Sequence, residues 1–139
     1  MIVLIMGLPG AGKTTLTSKV HAALSGSVWL NADAVRQEYN DWDFSHEGRM
    51  RQAARMRELT IGRSMVLIDM VAPLQCMREV IRPDLLVWVD TIAYGRFTDT
   101  NKIFEPPADA DLIVTTQDSS FWAAKVLELI SNSATIANV

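Results

Sequence analysis

Residues 7–14 read Gly-Leu-Pro-Gly-Ala-Gly-Lys-Thr, a complete match to G-x-x-x-x-G-K-S/T, and Thr15 follows. The residue types answer to one physical task. Gly7, Gly10 and Gly12 let the backbone curl so that successive N–H groups converge on an anion. Leu8, Pro9 and Ala11 complete that loop. A helix starting near Lys13 adds the positive end of its dipole. The Lys13 ammonium has the reach for β- and γ-phosphates, the Thr14 hydroxyl for a Mg²⁺ ion, and Thr15 for a further phosphate oxygen. The alternative, a chance glycine-rich turn, does not explain a complete motif set between an apolar strand and a helix. The stretch from Gly7 to Thr15 is therefore expected to bind a nucleoside triphosphate with Mg²⁺.

This loop leaves the fate of the γ-phosphate open. Transfer to a hydroxyl requires a carboxylate near the acceptor oxygen, to orient or deprotonate it. Asp33, in "LNADAVR", is the candidate, and with Lys13 it forms the expected catalytic pair. Its plain alternative is a helix N-cap. Asp69, in "VLIDM", resembles the acid at the end of a Walker B strand, which holds Mg²⁺ through water beside Thr14. Its alternative is a polar strand end. Asp90, at the end of "LLVWV", is a weaker candidate of the same kind.

These residues need a scaffold that gathers them. "MIVLIM" (1–6), "SVWLN" (27–31), "SMVLIDMV" (64–71), "LLVWVDT" (85–91) and "DLIVTT" (111–116) are short apolar runs, read as five strands. Between them lie helical patterns. Leu16, Val20, Ala23 and Leu24 share one face over residues 13–24, and a short helix capped by Asp33 runs to Glu38. A longer helix runs from Ser45 to about Ile61, and another starts at Pro73 and stops before Pro83. Trp122, Val126, Leu129 and Ile130 mark a closing helix, whereas 40–44 and 92–107 lack a period and read as loops. Buried strands alternating with helices imply an α/β fold, a three-layer doubly wound domain on a five-stranded parallel sheet, of the P-loop NTPase, nucleotide-kinase-like type. Ligands of such sheets lie beyond the carboxyl ends of the strands, which is where all these candidates fall.

Composition narrows the function. At 139 residues the chain has the length of one domain, expected to be a single P-loop kinase domain over 1–139. With 49% hydrophobic and 21% charged residues it reads as globular rather than disordered. A net charge of −3 argues against a nucleic-acid partner, although Arg49, Arg51, Arg55, Arg57 and Arg63 crowd a segment with one acid, Glu58. Arg51 and Arg55 are four apart and could form a basic stripe, while Arg57 and Arg63 read as a solvated face. Cys76 is the only cysteine, which rules out an intrachain disulfide. The apolar start without a basic leader, and the lack of an apolar run near ~18 residues, lead to the expectation of a cytoplasmic protein without a membrane partner. A sheet edge or the last helix could serve a homodimer. The guanine-reading N-K-x-D element of a GTPase is absent, since Asn101-Lys102 continues Ile103-Phe104. A small kinase fits this length better than a motor or a switch.

Four blocks carry a more specific resemblance: "GLPGAGKTTL", "LNADAVR", "DFSHEGRMRQAAR" and "GRFTDTNKIFEPPADADLIV". In order and spacing they resemble the adenylylsulfate kinase family, whose patterns are close to G-L-S-G-A-G-K-S-T, L-D-G-D-N-V-R, G-F-S-x-x-D-R-x-E-N-I-R-R and K-G-F-T-G before an acidic, proline-rich stretch. The resemblance implies transfer of the γ-phosphate of ATP to the 3′-hydroxyl of adenosine 5′-phosphosulfate. It assigns Asp33 as the catalytic aspartate, Arg36 and Arg49 as holders of the phosphosulfate, and Phe44 and Phe97 as two faces that sandwich the adenine. Gln52 falls where the family has an acceptor-contacting asparagine. Arginine forks suit a dianion, and aromatic faces suit a base. The plain alternatives are core residues for Phe44 and Phe97 and solvated helix charges for Arg36 and Arg49. Trp42, beside Phe44, reads as a second stacking surface or a lid-packing residue, with packing preferred, and His21 and His46 have no ligand spacing.

Departures from the family pattern concentrate on the acceptor side. Asn31 stands for the first aspartate of D-G-D, Gly48 for the aspartate before Arg49, and Ala54 for one arginine of the pair. "APLQ" (72–75) replaces S-P-Y-R, and the long basic lid between "VDT" and "GRFT" is missing. The lysine before G-F-T becomes Gly95, with Arg96 one position on. The kinase chemistry is thus expected to persist with a small nucleotide-like acceptor, adenylylsulfate first. The alternatives are a kinase for another nucleoside, nucleotide or polynucleotide end, or a non-catalytic ATP-binding module.

Overall fold

The computed structural model describes the backbone of residues 1–137 and the side chains of residues 1–134. Strands β1 (Ile2–Met6), β2 (Val28–Asn31), β3 (Val66–Met70), β4 (Leu85–Val89) and β5 (Leu112–Val114) form one sheet in the order β2-β3-β1-β4-β5. Every pairing is parallel. The crossovers are α1 (Lys13–Ala23), α2 (Ala32–Tyr39) with α3 (His46–Glu58), α4 (Gln75–Ile81) and α5 (Thr98–Ile103), and α6 (Ser119–Ala137) closes the chain.

Strand alternation sorts the core into two layers. Leu4, Met6, Val66, Ile68 and Met70 face α2, α3 and α4, where Val35, Ala53, Met56, Met77 and Ile81 cover them. Val3, Ile5, Leu67, Val87 and Val89 face the other way, against Leu16 and Val20 of α1 and Ala123, Val126 and Ile130 of α6. Both β1 and β3 are buried along their whole length, which is why their sequences are apolar without alternation, Asp69 near the end of β3 excepted.

Four expectations need correction. Asp33 does not cap α2. Asn31 does, its side chain accepting from the Ala34 amide, so that Asp33 sits in the first turn. Both residue types cap well, and the end of β2 decides which of them stands at the helix mouth. The helix after β3 begins at Gln75, not Pro73, because the chain turns through a positive φ of 44° at Ala72. Residues 92–107 are not all loop, for they contain α5, six residues with only Thr100 buried and therefore no apolar period to read. Ala23, expected on the buried face of α1, is exposed at that helix's last turn.

Arg78 was not singled out in the sequence, yet it ties the open end of the sheet together. Its Nε donates to the Ala72 carbonyl, Nη1 to Gln75 Oε1, and Nη2 to the carbonyls of Pro73 and Glu105. The guanidinium also lies 5.7 Å from the Phe104 ring centre. Burial holds its pKa below the ordinary arginine value. Replacing it strands buried carbonyls. Arg78→Ala is therefore expected to lower unfolding free energy by about 3 kcal/mol in urea titration, whereas a loss under about 0.5 kcal/mol would mean that the loops hold without it.

Candidate active site

The parallel register brings three strand ends to one point. Ile5, Asp69 and Asn31 are aligned across β1, β3 and β2. There Asp69 Oδ2 accepts from Thr14 Oγ1 at 2.9 Å and from Asn31 Nδ2 at 3.0 Å. Asn31 does this while its other amide atom caps α2. An aspartate could form the cap but could not donate to Asp69, so the asparagine links two elements that an acid would push apart.

The phosphate loop leaves β1 at Gly7, whose φ is 152°; a side chain there would run into the Val89 carbonyl. Gly10 and Gly12 follow at φ 88° and 103°, and Gly12 stands at the mouth of α1. Lys13 is buried and its Nζ donates to the Leu8 carbonyl at 3.1 Å, across the loop. Burial lowers its pKa below the usual lysine value, opposed by the nearby charges of Asp69 and Asp33. Thr91 Oγ1 donates to the Ala11 carbonyl at 2.6 Å, pinning the end of β4 to the loop.

A cleft of about 620 Å³ opens beside this loop. Its lining includes Lys13, Thr14, Asp33 and Asp69 from the strand ends, and Arg36, Phe44, Arg49 and Gln52 from α2, α3 and their connection. Arg96, Phe97 and Asp99 close the far side. Every expected site residue on the acceptor side thus reaches one space.

The two arginines are not solvated helix charges, since Arg36 is 4% exposed and Arg49 8%. Arg36 Nη1 donates to the carbonyls of Asp41 and Asp43, and Arg49 Nε to that of Phe44. The remaining N–H groups of both have no hydrogen-bond partner among the described residues. Burial lowers the pKa of each, with carboxylate charges opposing: Asp41 for Arg36 and Asp99 for Arg49. Their guanidinium carbons lie 4.4 and 5.5 Å from the centre of the Phe44 ring.

Nor are Phe44 and Phe97 core residues, at 52% and 53% exposed. Trp42, read as stacking or lid packing, is likewise exposed at 50% and lines the cleft. Three aromatic faces therefore border one opening. Gln52 is different: it is fully buried, donating to the Ala32 carbonyl and accepting from Arg55, so its amide joins α2 to α3.

The expected basic stripe is not free. Arg51 and Arg55 both reach Asp41, and Arg51 also reaches Asp43. The hydrogen bonds from Arg51 and Arg55 hold Asp41 well below the usual carboxylate range. Arg57 donates to the Ile81 carbonyl and Arg63 to that of Leu59. These acids belong to the 41–44 loop, which lies directly over Gly48. A β-carbon there would collide with the Asp43 backbone and side chain. The glycine at this position is what lets the loop descend and carry Phe44 to the two arginines.

The lid is short but docked. Asn101 Oδ1 accepts from the Gly95 amide at 2.8 Å, and Asn101 Nδ2 donates to the Gly95 carbonyl at 2.9 Å. Gly95 itself lies against Pro9 of the phosphate loop. Sequence reading missed a second hollow, about 180 Å³, on the other side of the loop. Its walls include Gly12, Thr15, Val89, Val114, Thr116 and Trp122, and Gly10 lines both hollows. Trp122 Nε1 donates to Thr116 Oγ1 at 2.7 Å. No motif marks these residues, which meet only once β5 and α6 are in place.

A phosphate loop on β1, an acid near the end of β3 and a five-stranded parallel sheet define a nucleotide-binding fold of the P-loop class. Within it, residues 1–92 match the family model described as Adenylylsulphate kinase, and the chain belongs to that family. No curated protein matches the sequence. Among solved structures, the protein APE1195 superposes with a TM-score of 0.83 at 20% identity, covering 95% of each chain. The APS kinase CysC of Mycobacterium tuberculosis, solved in complex with AMPPNP and APS, gives 0.79 at 20% identity over 94% of this chain and 96% of its own. Shikimate kinase of Aquifex aeolicus gives 0.70 at 14% identity, covering 97% and 99%. At these identities the likenesses establish the fold. Family membership supports phosphotransferase activity and nucleotide binding.

Gly48→Ala tests the loop architecture. The added methyl overpacks Asp43 and is expected to cost about 1–3 kcal/mol of stability in urea titration. Exposed helix positions instead gain from Gly→Ala, by up to about 1 kcal/mol. A gain here would contradict the close approach of the loop.

Proposed function

We propose that the chain is an ATP- and Mg²⁺-dependent kinase that transfers the γ-phosphate to a hydroxyl of a small base-bearing acceptor, adenylylsulfate first. The observation that carries this reading is the single cleft in which Lys13, Asp33, two arginines with unpaired N–H groups and exposed aromatic faces converge. The match of the family model supports it, as does the structural neighbour that was solved with AMPPNP and APS.

The donor set suits Mg²⁺. Thr14 and Asp69 offer one hydroxyl and one carboxylate already hydrogen-bonded to each other, and among the described residues no cluster of three or more His, Cys, Asp or Glu forms a full metal cage. Mg²⁺ is typically held this way, by one or two protein oxygens plus substrate phosphates. Bound there, the ion would supply charge neutralisation to the phosphates.

The chain's own residues do the rest. The loop amides and Lys13 would hold the triphosphate, with its nucleoside in the smaller hollow and its terminal phosphate toward the cleft, since Gly10 borders both. Phe44 and Phe97 would bracket the acceptor base, while the outer N–H groups of Arg36 and Arg49 would take its anionic group. Asp33 would orient the acceptor hydroxyl and receive its proton as the oxygen attacks phosphorus and ADP departs. The pairing of Arg51 and Arg55 with Asp41 and Asp43 leaves little free basic surface for a polynucleotide end. The whole described chain would then work as one kinase domain.

Asp33→Ala separates this reading from a non-catalytic ATP-binding module. Expected is a fall in turnover of at least about 100-fold, the scale of a lost acid–base group, with ATP affinity in equilibrium titration within about threefold, under 1 kcal/mol. Unchanged turnover would remove Asp33 from the chemistry.

A further inference from the structure

Asp99 is the one acid of the cleft that no part of the proposed reaction uses. It lies in the first turn of α5, exposed, and lines the same space as Arg36, Phe44 and Arg49. It forms no hydrogen bond or ion pair with another described residue. Its charge acts on Arg49, which lines the same cleft. Asp33 and Asp69 have places beside the phosphate loop, and Asp41 and Asp43 are held by arginines. Asp33 is likewise unpaired and acts on Lys13 and Arg36, but the proposed reaction employs it; Asp99 is the remaining unpaired carboxylate of the cleft, and it acts on Arg49.

The consequence is electrostatic. Two buried guanidiniums favour an anion, and a carboxylate facing them subtracts from that attraction in proportion to the charge the ligand brings. A dianion is penalised about twice as strongly as a monoanion, and a neutral ligand scarcely at all. The carboxylate also accepts hydrogen bonds, which rewards a hydroxyl or amine on the acceptor. We propose that Asp99 is a specificity-determining residue, one that turns the acceptor site away from densely anionic acceptors and toward base-bearing acceptors of low charge with hydroxyl or amino donors. This rests on the kinase reading above and refines its substrate class: within it, adenylylsulfate, itself a dianion, falls behind base-bearing acceptors of lower charge.

The test uses the full chain saturated with ADP and Mg²⁺, so that the donor side is filled. Binding of adenosine, adenosine 5′-phosphate and adenylylsulfate is measured by calorimetry at low salt for the unmodified chain, Asp99→Asn and Asp99→Glu. Expected is binding of the two anionic probes about tenfold tighter to Asp99→Asn, with adenosine within about twofold, and unmodified discrimination in Asp99→Glu; the gain shrinks as salt rises. Equal affinities for the anionic probes would overturn the proposal, as would a common shift for all three probes, which marks a structural role. Binding of none of them to any of the three proteins would overturn it too. Labelled phosphate transfer, run in parallel, keeps the two claims apart. Transfer without an Asp99 effect sinks the specificity claim alone, and a binding effect without transfer sinks the kinase reading alone.

Discussion

Two hydrogen bonds that meet on Asp69 Oδ2 position the rest of the site. One comes from Thr14 at the start of α1, the other from Asn31 at the end of β2. They join the phosphate loop to β3 and β3 to α2, so the places of Lys13 and Asp33 are set by the same acceptor atom. The joint exists because the sheet is parallel and buried. Register alone puts Asn31 beside Asp69, and burial of β3 makes its polar end worth pairing. Asn31 also caps α2, and that cap places Asp33 in the first turn at the mouth of the cleft.

The acceptor side is organised differently, by arginines that hold backbone. Arg36 and Arg49 each use part of their guanidinium to fix the 41–44 loop, and their remaining N–H groups have no hydrogen-bond partner among the described residues. Arg51 and Arg55 pull the acids of that loop down from the other side. Gly48 makes room beneath it. The departures from the family pattern read in the sequence are thus coordinated: a glycine in α3 goes with a low loop, and Asn31 goes with a donated bond to Asp69. The short lid is closed onto the phosphate loop through Gly95 and Asn101 without the long basic segment.

The phosphate loop, the five strands and the parallel sheet were legible because each depends on a local pattern: a complete motif, or a run of three to six apolar residues. What was not legible depends on partners far along the chain. Asp33 and Asn31 are both good caps two residues apart, and only the end of β2 chooses between them. The helix α5 buries only Thr100 and so has no period. The burial of Arg36 and Arg49 follows from carbonyls in a loop without pattern, and the Arg51–Asp41 pair spans ten positions. Between stacking and lid packing, the sequence does not decide for Trp42; in the fold it is exposed and borders the cleft. Trp122 and Thr116 meet only in the assembled fold.

The central claim is that the γ-phosphate goes to a hydroxyl of a base-bearing acceptor in this cleft. The most direct measurement is transfer from γ-labelled ATP, with Mg²⁺, to a panel of adenylylsulfate, adenosine 5′-phosphate, nucleosides and a 5′-hydroxyl oligonucleotide. The account predicts rapid labelling of at least one base-bearing small acceptor and none of the oligonucleotide. Bound ATP with no labelled small acceptor, or label confined to the oligonucleotide end, would contradict it.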